Sequence, residues 1–302
     1  RRVLSVQSHV VSGYVGNKAA VFPLQLLGLD VDVVNSVHFS NHTGYPNGIK
    51  GDVLNGEQLT TILEGLESNN LLKDIGHLLT GYIGSETFLE AVLNLLHTLR
   101  KHGPVRFVCD PVLGDHGEFY VPETLVKLYK EKLIPFADVV TPNQFEVEQL
   151  TGIKVKSVQD ARLACTALHN MGPTLVFITS LILGDRSNIT IIASQRNKNT
   201  TAATAADDDD DDNDEMWRVD CPVLPGYYTG TGDLCAALLL GHTIEGANDL
   251  GITLQKVVGT MFSVIKRTSE LSGETVQSRE LKLIQSKTDI ENPPQPFQAI
   301  RL

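Results

Sequence analysis

Short apolar runs alternate with longer segments of helical period along most of this chain. Val3 to Val6, Val31 to Val37, His77 to Thr80, Arg106 to Cys109, Asp138 to Val140 and Leu175 to Thr179 read as strands. Between them, Gly13 to Leu27, Gln58 to Leu66, Ser85 to Arg100, Glu123 to Leu133, Phe145 to Leu150 and about Gln159 to Asn170 read as helices. In the clearest of these, Leu89, Val92, Leu93, Leu96 and Leu99 line one face, Ser85 caps the start and Gly103-Pro104 stops the helix. Pro23 predicts a kink or a second start in the first helix. Strands that are apolar throughout, joined by crossover helices, make a mostly parallel sheet covered on both faces, a three-layer α/β/α sandwich.

The period changes after Leu175 to Thr179. Asn188 to Ser194 and Trp217 to Val223 read as strands joined by a long polar connection, and helices return at Asp233 to His242 and about Leu254 to Leu271. A last helix is expected at about Arg279 to Ser286, before a Pro-rich tail. No linker and no repeat divides the chain, so residues 1–302 read as one domain. Residues 197–215 form a low-complexity acidic insertion that cannot bury apolar area, and a tolerated loop is the expectation there.

The formal charge is −11, yet eight of the 36 acids fall in that insertion, and without them the balance is −3. With no basic stripe to neutralise phosphates, a nucleic-acid-binding role is set aside. The four cysteines, Cys109, Cys165, Cys221 and Cys235, lie far apart without CxxC or zinc spacing, which points to a reducing compartment. No apolar run reaches the roughly 20 residues a membrane helix needs, and Arg1-Arg2-Val3-Leu4 runs straight into a strand pattern. A cytoplasmic protein with no membrane partner is therefore expected.

Tyr228-Thr229-Gly230-Thr231-Gly232-Asp233-Leu234 precedes the apolar helical run Cys235 to Leu240. Glycines ahead of a helix let backbone N–H groups converge on an anion, and the helix terminus adds partial positive charge. A carboxylate at Asp233 beside such an anion hole suits phosphoryl transfer, the amides holding the charge that develops on the phosphate while the carboxylate accepts a proton from an attacking hydroxyl. A turn followed by a plain helix cap is the competing reading of the same residues. Cys109-Asp110-Pro111-Val112-Leu113-Gly114-Asp115 and Val140-Thr141-Pro142-Asn143-Gln144-Phe145-Glu146 follow the carboxyl ends of predicted strands, where open parallel sheets bind ligands. They bring Asp110, Asp115, Thr141 and Glu146 as oxygen ligands of the kind hard cations prefer. Asn143 with Glu146 is also a capping-box pair, and Asp-Pro and Thr-Pro also start turns.

These segments do not stand apart. Together with Gln7-Ser8-His9-Val10, Gly13 to Asn17, Asn35-Ser36-Val37, Phe39 to Tyr45, Leu79-Thr80-Gly81-Tyr82, Tyr120-Val121-Pro122 and Ile178-Thr179-Ser180, they occur in an order that resembles the pyridoxal kinase family of the ribokinase-like superfamily, over nearly the whole chain. The resemblance implies transfer of the γ-phosphate of ATP to the 5′-hydroxymethyl group of pyridoxal, pyridoxine or pyridoxamine, with vitamin B6 salvage as the setting. It implies Asp233 as base and Gly230, Thr231 and Gly232 as the anion hole. Ser8 and Thr43 become partners of the pyridine ring and its substituents, and Val15, Val37, His42 and Tyr82 a wall around it; for His42 a bland role, filling the wall or bonding backbone, weighs equally. Asp115 and Glu146 resemble the Mg²⁺ side of the nucleotide. Asp110, Thr141 and Thr179 resemble the pocket of an activating monovalent cation, K⁺ or Na⁺. Asn143, Tyr120 and Ser180 resemble phosphate contacts. A homodimer is the implied assembly. The competing functions are a kinase for a related acceptor on the same fold (hydroxymethylpyrimidine, a sugar or a nucleoside) and a regulatory B6-binding protein without catalysis; Asp233 and the complete set of cation ligands weigh against the latter.

Two features depart from the family pattern: a short connection, His116-Gly117-Glu118-Phe119, between Asp115 and Tyr120, and the acidic insertion. Deleting Lys198 to Asp214 is expected to leave turnover within a few-fold of the intact chain, and a variant approaching inactivity would make that segment functional.

Overall fold

Neighbouring residues of the central strands divide between two buried clusters. Leu4, Leu78, Phe107, Val140 and Val176 fall in one; Val3, Leu79, Val108, Val139 and Phe177 fall in the other. A strand has a two-residue period, so an uninterrupted apolar run presents a core to both faces of its sheet. Helices cover both.

The computed structural model describes residues 2–184, 186–196, 214–244 and 249–302. In chain order they give β1 (Arg2–Val10), α1 (Asn17–Leu26), β2 (Asp30–Phe39), β3 (Gly51–Val53), α2 (Gly56–Ser68), β4 (Ile75–Thr80), α3 (Glu86–His102) and β5 (Arg106–Cys109). Next come β6 (Gly114–Asp115), β7 (Glu118–Phe119), α4 (Thr124–Leu128), β8 (Val139–Val140), α5 (Gln144–Thr151), α6 (Val158–Met171), β9 (Leu175–Leu181), β10 (Asn188–Gln195) and β11 (Glu215–Pro222). The chain closes with α7 (Thr231–Ile244), α8 (Leu250–Leu271), α9 (Lys287–Glu291) and β12 (Ile300–Arg301).

One ten-stranded sheet runs β12-β11-β10-β9-β8-β5-β4-β1-β2-β3. From β2 across to β9 its strands are parallel, whereas β3, β10, β11 and β12 join antiparallel. Helices α2, α3, α5 and α6 bury Leu59, Leu96, Val147 and Leu168 against one face. Helices α1, α7, α8 and α9 bury Leu24, Leu238, Leu254 and Ile290 against the other. All four cysteines are buried and unpaired.

Several boundaries differ from expectation. Helix α1 begins at Asn17 rather than Gly13, because Gly13 and Gly16 adopt φ of 102° and 54°, left-handed values that a helix cannot contain. Pro23 lies inside this one helix and starts no second one. The expected helix over Arg279 to Ser286 is instead two 3₁₀ turns, Gln277–Arg279 and Ile284–Ser286, with the chain leaving the helical path at Glu280 between them. Leu281 and Leu283 are both fully buried there, a spacing of two that a helical turn would split between opposite sides. The hairpin β6–β7 was not expected. Its connection, His116-Gly117, has positive φ at both residues (50° and 86°), the type I′ pattern that allows so short a link. The acidic insertion lies outside the described residues except for Asp214 and Glu215.

Leu96 of α3 is fully buried, while Leu71 is half exposed at 51%. Leu96→Ala is expected to cost about 2–5 kcal/mol in a denaturant melt and Leu71→Ala less than about 1 kcal/mol. Equal losses would contradict the two-sided core.

Candidate active site

The carboxyl ends of β1, β2, β4, β5, β8 and β9 lie side by side, stitched by loop hydrogen bonds such as Gly81 N–H to Val6 O (3.1 Å), Asp110 N–H to Thr80 O (3.0 Å) and Thr141 N–H to Cys109 O (3.2 Å). Ser8, Val37, Tyr82, Asp110, Thr141 and Thr179, which are scattered along the sequence, therefore meet along one edge of the sheet.

Helix α7 enters from the other direction. Gly230, with φ of 84°, turns the chain into its first residue, and an added Cβ there would overlap the Tyr14 carbonyl. Asp233 stands in the first turn, and its Oδ2 accepts the Gly16 N–H at 2.7 Å. Gly16 is equally constrained, since its φ of 54° and the adjacent Ser8 carbonyl leave no room for a side chain. The turn after β1 and the start of α7 thus share one hydrogen bond and two glycine-only positions.

Beside it is an acidic group. The buried Asp110 accepts the Thr141 hydroxyl at 3.0 Å. Glu146, also buried, accepts backbone N–H groups from Leu113 (3.0 Å) and Asn143 (2.8 Å). Burial, then the charge of Asp233, pushes the Asp110 carboxyl up against the pull of the Thr141 hydroxyl. Burial and then Asp110 raise Glu146 well above the usual carboxylate range, against its backbone donors. Burial likewise raises Asp233, opposed by the Gly16 N–H. Among the described residues none of the three has a basic side chain as ion-pair partner. Nor do the described residues contain a group of three or more His, Cys, Asp or Glu side chains poised around a metal ion.

The capping box expected of Asn143 and Glu146 is present. Asn143 spends its Oδ1 on the Glu146 N–H and donates one amide hydrogen to Gly114 O at 2.8 Å, which leaves a single hydrogen for any other partner.

A cleft of about 700 Å³ opens on the far side of α7. Asp115, Thr179, Ser180, Thr231 and Gly232 line it, together with the apolar Val257 and Phe262 of α8. Tyr120 touches this cleft through its neighbour Tyr227, hydroxyl to hydroxyl at 3.2 Å. Such a cavity, lined by apolar side chains and by glycine-containing backbone at a helix N-terminus, suits a nucleotide.

On the opposite side, Val15, Val37 and His42 are buried, Tyr82 is half-buried and Thr43 is exposed. The β1–β2 register steps over Ser36, pairing Gln7 with Asn35 and Ser8 with Val37. The Ser36 hydroxyl, freed from the ladder's alternation, holds the Tyr82 carbonyl at 2.8 Å. His42 departs from a simple wall role: its Nε2 lies 3.2 Å from Glu280 Oε1.

Sequence reading missed four contributors. Gly16 and Ser36 sit inside motifs already singled out, and a left-handed glycine is detectable only as a glycine. The α8 side chains of the cleft carry an ordinary amphipathic pattern. Glu280 lies in a segment read as helix and carries no motif.

Residues 57–247 match the family model described as phosphomethylpyrimidine kinase. The pyridoxal kinase of Arabidopsis thaliana is 47% identical, with 99% of this chain and 94% of that protein covered. That of Homo sapiens is 44% identical over 97% of this chain and 96% of its own. The structure of the Leishmania donovani pyridoxal kinase in complex with ADP and pyridoxamine aligns with a TM-score of 0.90 at 36% identity, covering 100% of this chain and 99% of that one.

Glycine substitutions test the junction. Gly230→Ala and Gly16→Ala are each expected to destabilise by at least about 2 kcal/mol, since each adds strain and overlap with backbone. Gly117→Ala, with φ of 86° but open space around it, should cost only about 1 kcal/mol by the same denaturant melt. Equal costs for the three would remove the argument from close approach.

Proposed function

The chain belongs to the pyridoxal kinase family, and from that premise we propose that Asp233 is the general base of its phosphoryl transfer. The enzyme phosphorylates B6 vitamers with ATP as donor. The observation that carries the assignment is the 2.7 Å hydrogen bond from Gly16 N–H to Asp233 Oδ2 at the start of α7, between the nucleotide-sized cleft and the acceptor-side turn.

Its consequence is directional. One oxygen of Asp233 is held by the protein, so Oδ1 is left for the hydroxyl of the acceptor. The Gly230-Thr231-Gly232 turn offers the unpaired N–H groups of a helix start to the transferring phosphate. The acceptor oxygen attacks phosphorus while the bond to the leaving ADP oxygen breaks, and Asp233 takes the hydroxyl proton. In a loose transition state that proton becomes acidic late, so a carboxylate is base enough. Ser8, Thr43, Val15, Val37, His42 and Tyr82 form the acceptor side in this reading. Asp115, Tyr120, Asn143, Glu146, Thr179, Ser180 and the Gly230 to Gly232 turn form the nucleotide side.

The acidic group supports a cation reading. Asp110, Asp115, Thr141, Glu146 and Thr179 offer only oxygen, which hard cations favour, and the buried carboxyls lack basic partners among the described residues. We assign Asp115 and Glu146 to Mg²⁺ and Asp110, Thr141 and Thr179 to a monovalent cation, K⁺ or Na⁺. When bound, these ions neutralise charge on the nucleotide phosphates. A homodimer, a single kinase domain over 1–302 and a cytoplasmic location complete the proposal; among the described residues no helix is long and apolar enough to cross a membrane.

The test is formation of pyridoxal 5′-phosphate from pyridoxal and ATP with Mg²⁺, with and without K⁺, beside a panel including hydroxymethylpyrimidine. Asp233→Asn is expected to lower kcat by about 10²–10⁴ while pyridoxal and ATP still bind. A variant as active as the parent would remove Asp233 from the role of base, and a preference for hydroxymethylpyrimidine would move the acceptor assignment.

A further inference from the structure

We propose that Glu280 is a positioning residue that clamps the two acceptor-side loops together and so fixes both the vitamer pocket and the Gly16 N–H that orients Asp233. The proposal rests on the kinase reading above.

Glu280 is 7% exposed and comes from the 3₁₀ turn after α8, more than 200 residues from the loops it holds. Its Oε2 accepts the Tyr14 N–H at 2.9 Å. Its Oε1 accepts the Tyr45 hydroxyl at 3.0 Å and lies 3.2 Å from His42 Nε2. The histidine tautomer follows from the network. Gly44 N–H donates to His42 Nδ1 at 3.1 Å, so Nδ1 is an acceptor and the ring hydrogen sits on Nε2, aimed at Glu280. Three donors on two loops thus converge on one buried carboxylate. Burial alone would raise Glu280, but the hydrogen bonds from His42, Tyr14 and Tyr45 outweigh it and hold the carboxyl below its usual value, as a carboxylate that only accepts should be.

The surroundings are built for this group. A Cβ at Gly13 would overlap the Glu280 carboxylate, so only glycine permits the approach. The His42 and Tyr45 rings meet edge to face, with centroids 4.8 Å apart, which stiffens the loop on its carboxylate anchor. A small cavity of about 80 Å³ is bordered by His42, Tyr227, Thr229, Arg279 and Glu280. It joins the acceptor loop, the approach to α7 and the C-terminal segment at one place. From Tyr14 the path to the base is short, because Gly16, two residues on, carries the N–H that holds Asp233.

Glutamine cannot reproduce the clamp. It has one acceptor oxygen where the loops present three donors, so Glu280→Gln leaves at least one buried donor facing an amide N–H. In a folded Glu280→Gln enzyme the KM for pyridoxal is expected to rise at least about tenfold while the KM for ATP stays within about twofold. Tyr45→Phe, which removes one donor and keeps the ring, should shift the pyridoxal constant in the same direction by about threefold. If Glu280→Gln does not fold, Tyr45→Phe decides the matter. A pyridoxal KM within error of the parent in the folded variants, or equal changes for both substrates, would overturn the proposal. If the unmodified enzyme does not phosphorylate pyridoxal, the kinase reading fails on its own. The clamp is then judged by hydrogen exchange, where Glu280→Gln should accelerate exchange in Val11 to Gly16 and Ser40 to Gly48 together, and unchanged protection would refute it.

Discussion

A single backbone donor, Gly16 N–H, ties the two halves of the site. It ends the turn after β1, on the proposed acceptor side, and it holds Asp233 at the start of α7, on the proposed nucleotide side. Both chains come this close only because Gly16 and Gly230 lack side chains, each lying against a carbonyl that a Cβ would overlap. The packing beneath serves the same end. Helices α1 and α7 lie on one face of the sheet and share a core that includes Ala19, Ala20, Ala236 and Ala237, small residues that let the helices approach closely. The Asp233 carboxylate is therefore oriented by the fold rather than by a neighbouring side chain.

Charge is arranged against the ordinary rule that buried acids are paired. Asp110 and Glu146 are buried beside Asp233, satisfied by a hydroxyl and by backbone N–H groups instead of by Lys or Arg. Such donors fix the direction of each oxygen but supply no opposite charge, so burial holds both carboxyls above the usual carboxylate range. Glu280 is the contrasting case. It too is buried, but every donor around it belongs to a loop, so its charge is used to hold backbone in place.

The layered fold was legible because its signal is local. Strands such as Leu175–Leu181 and helices such as Glu86–His102 announce themselves by period, and Ser85, Asn143 and Ser157 mark helix starts by their chemistry. The motif residues Asp110 and Thr141 were legible as candidates because parallel sheets gather the ends of their strands, Asp233 because a glycine-rich turn precedes its helix, and Thr179 through the family resemblance. Where the sequence misled, packing overrode local preference. The stretch around Leu281 and Leu283 looks helical in composition, yet the chain leaves the helical path at Glu280 and both side chains insert into the core. The hairpin at His116-Gly117 has strands of only two residues, too short to leave a period.

The sequence by itself determined the α/β/α layering, the family resemblance and the set of residues able to do phosphoryl chemistry, because each depends on spacing within a few turns of chain. Only the tertiary structure decided that Gly16 orients Asp233, that Ser36 slips out of register to hold Tyr82, and that Glu280 gathers Tyr14, His42 and Tyr45. Those contacts join segments up to 266 positions apart, and a lone carboxylate or glycine leaves no periodic trace. The fold selects such partners by bringing them within hydrogen-bond reach, and that proximity is a property of the whole packed sheet.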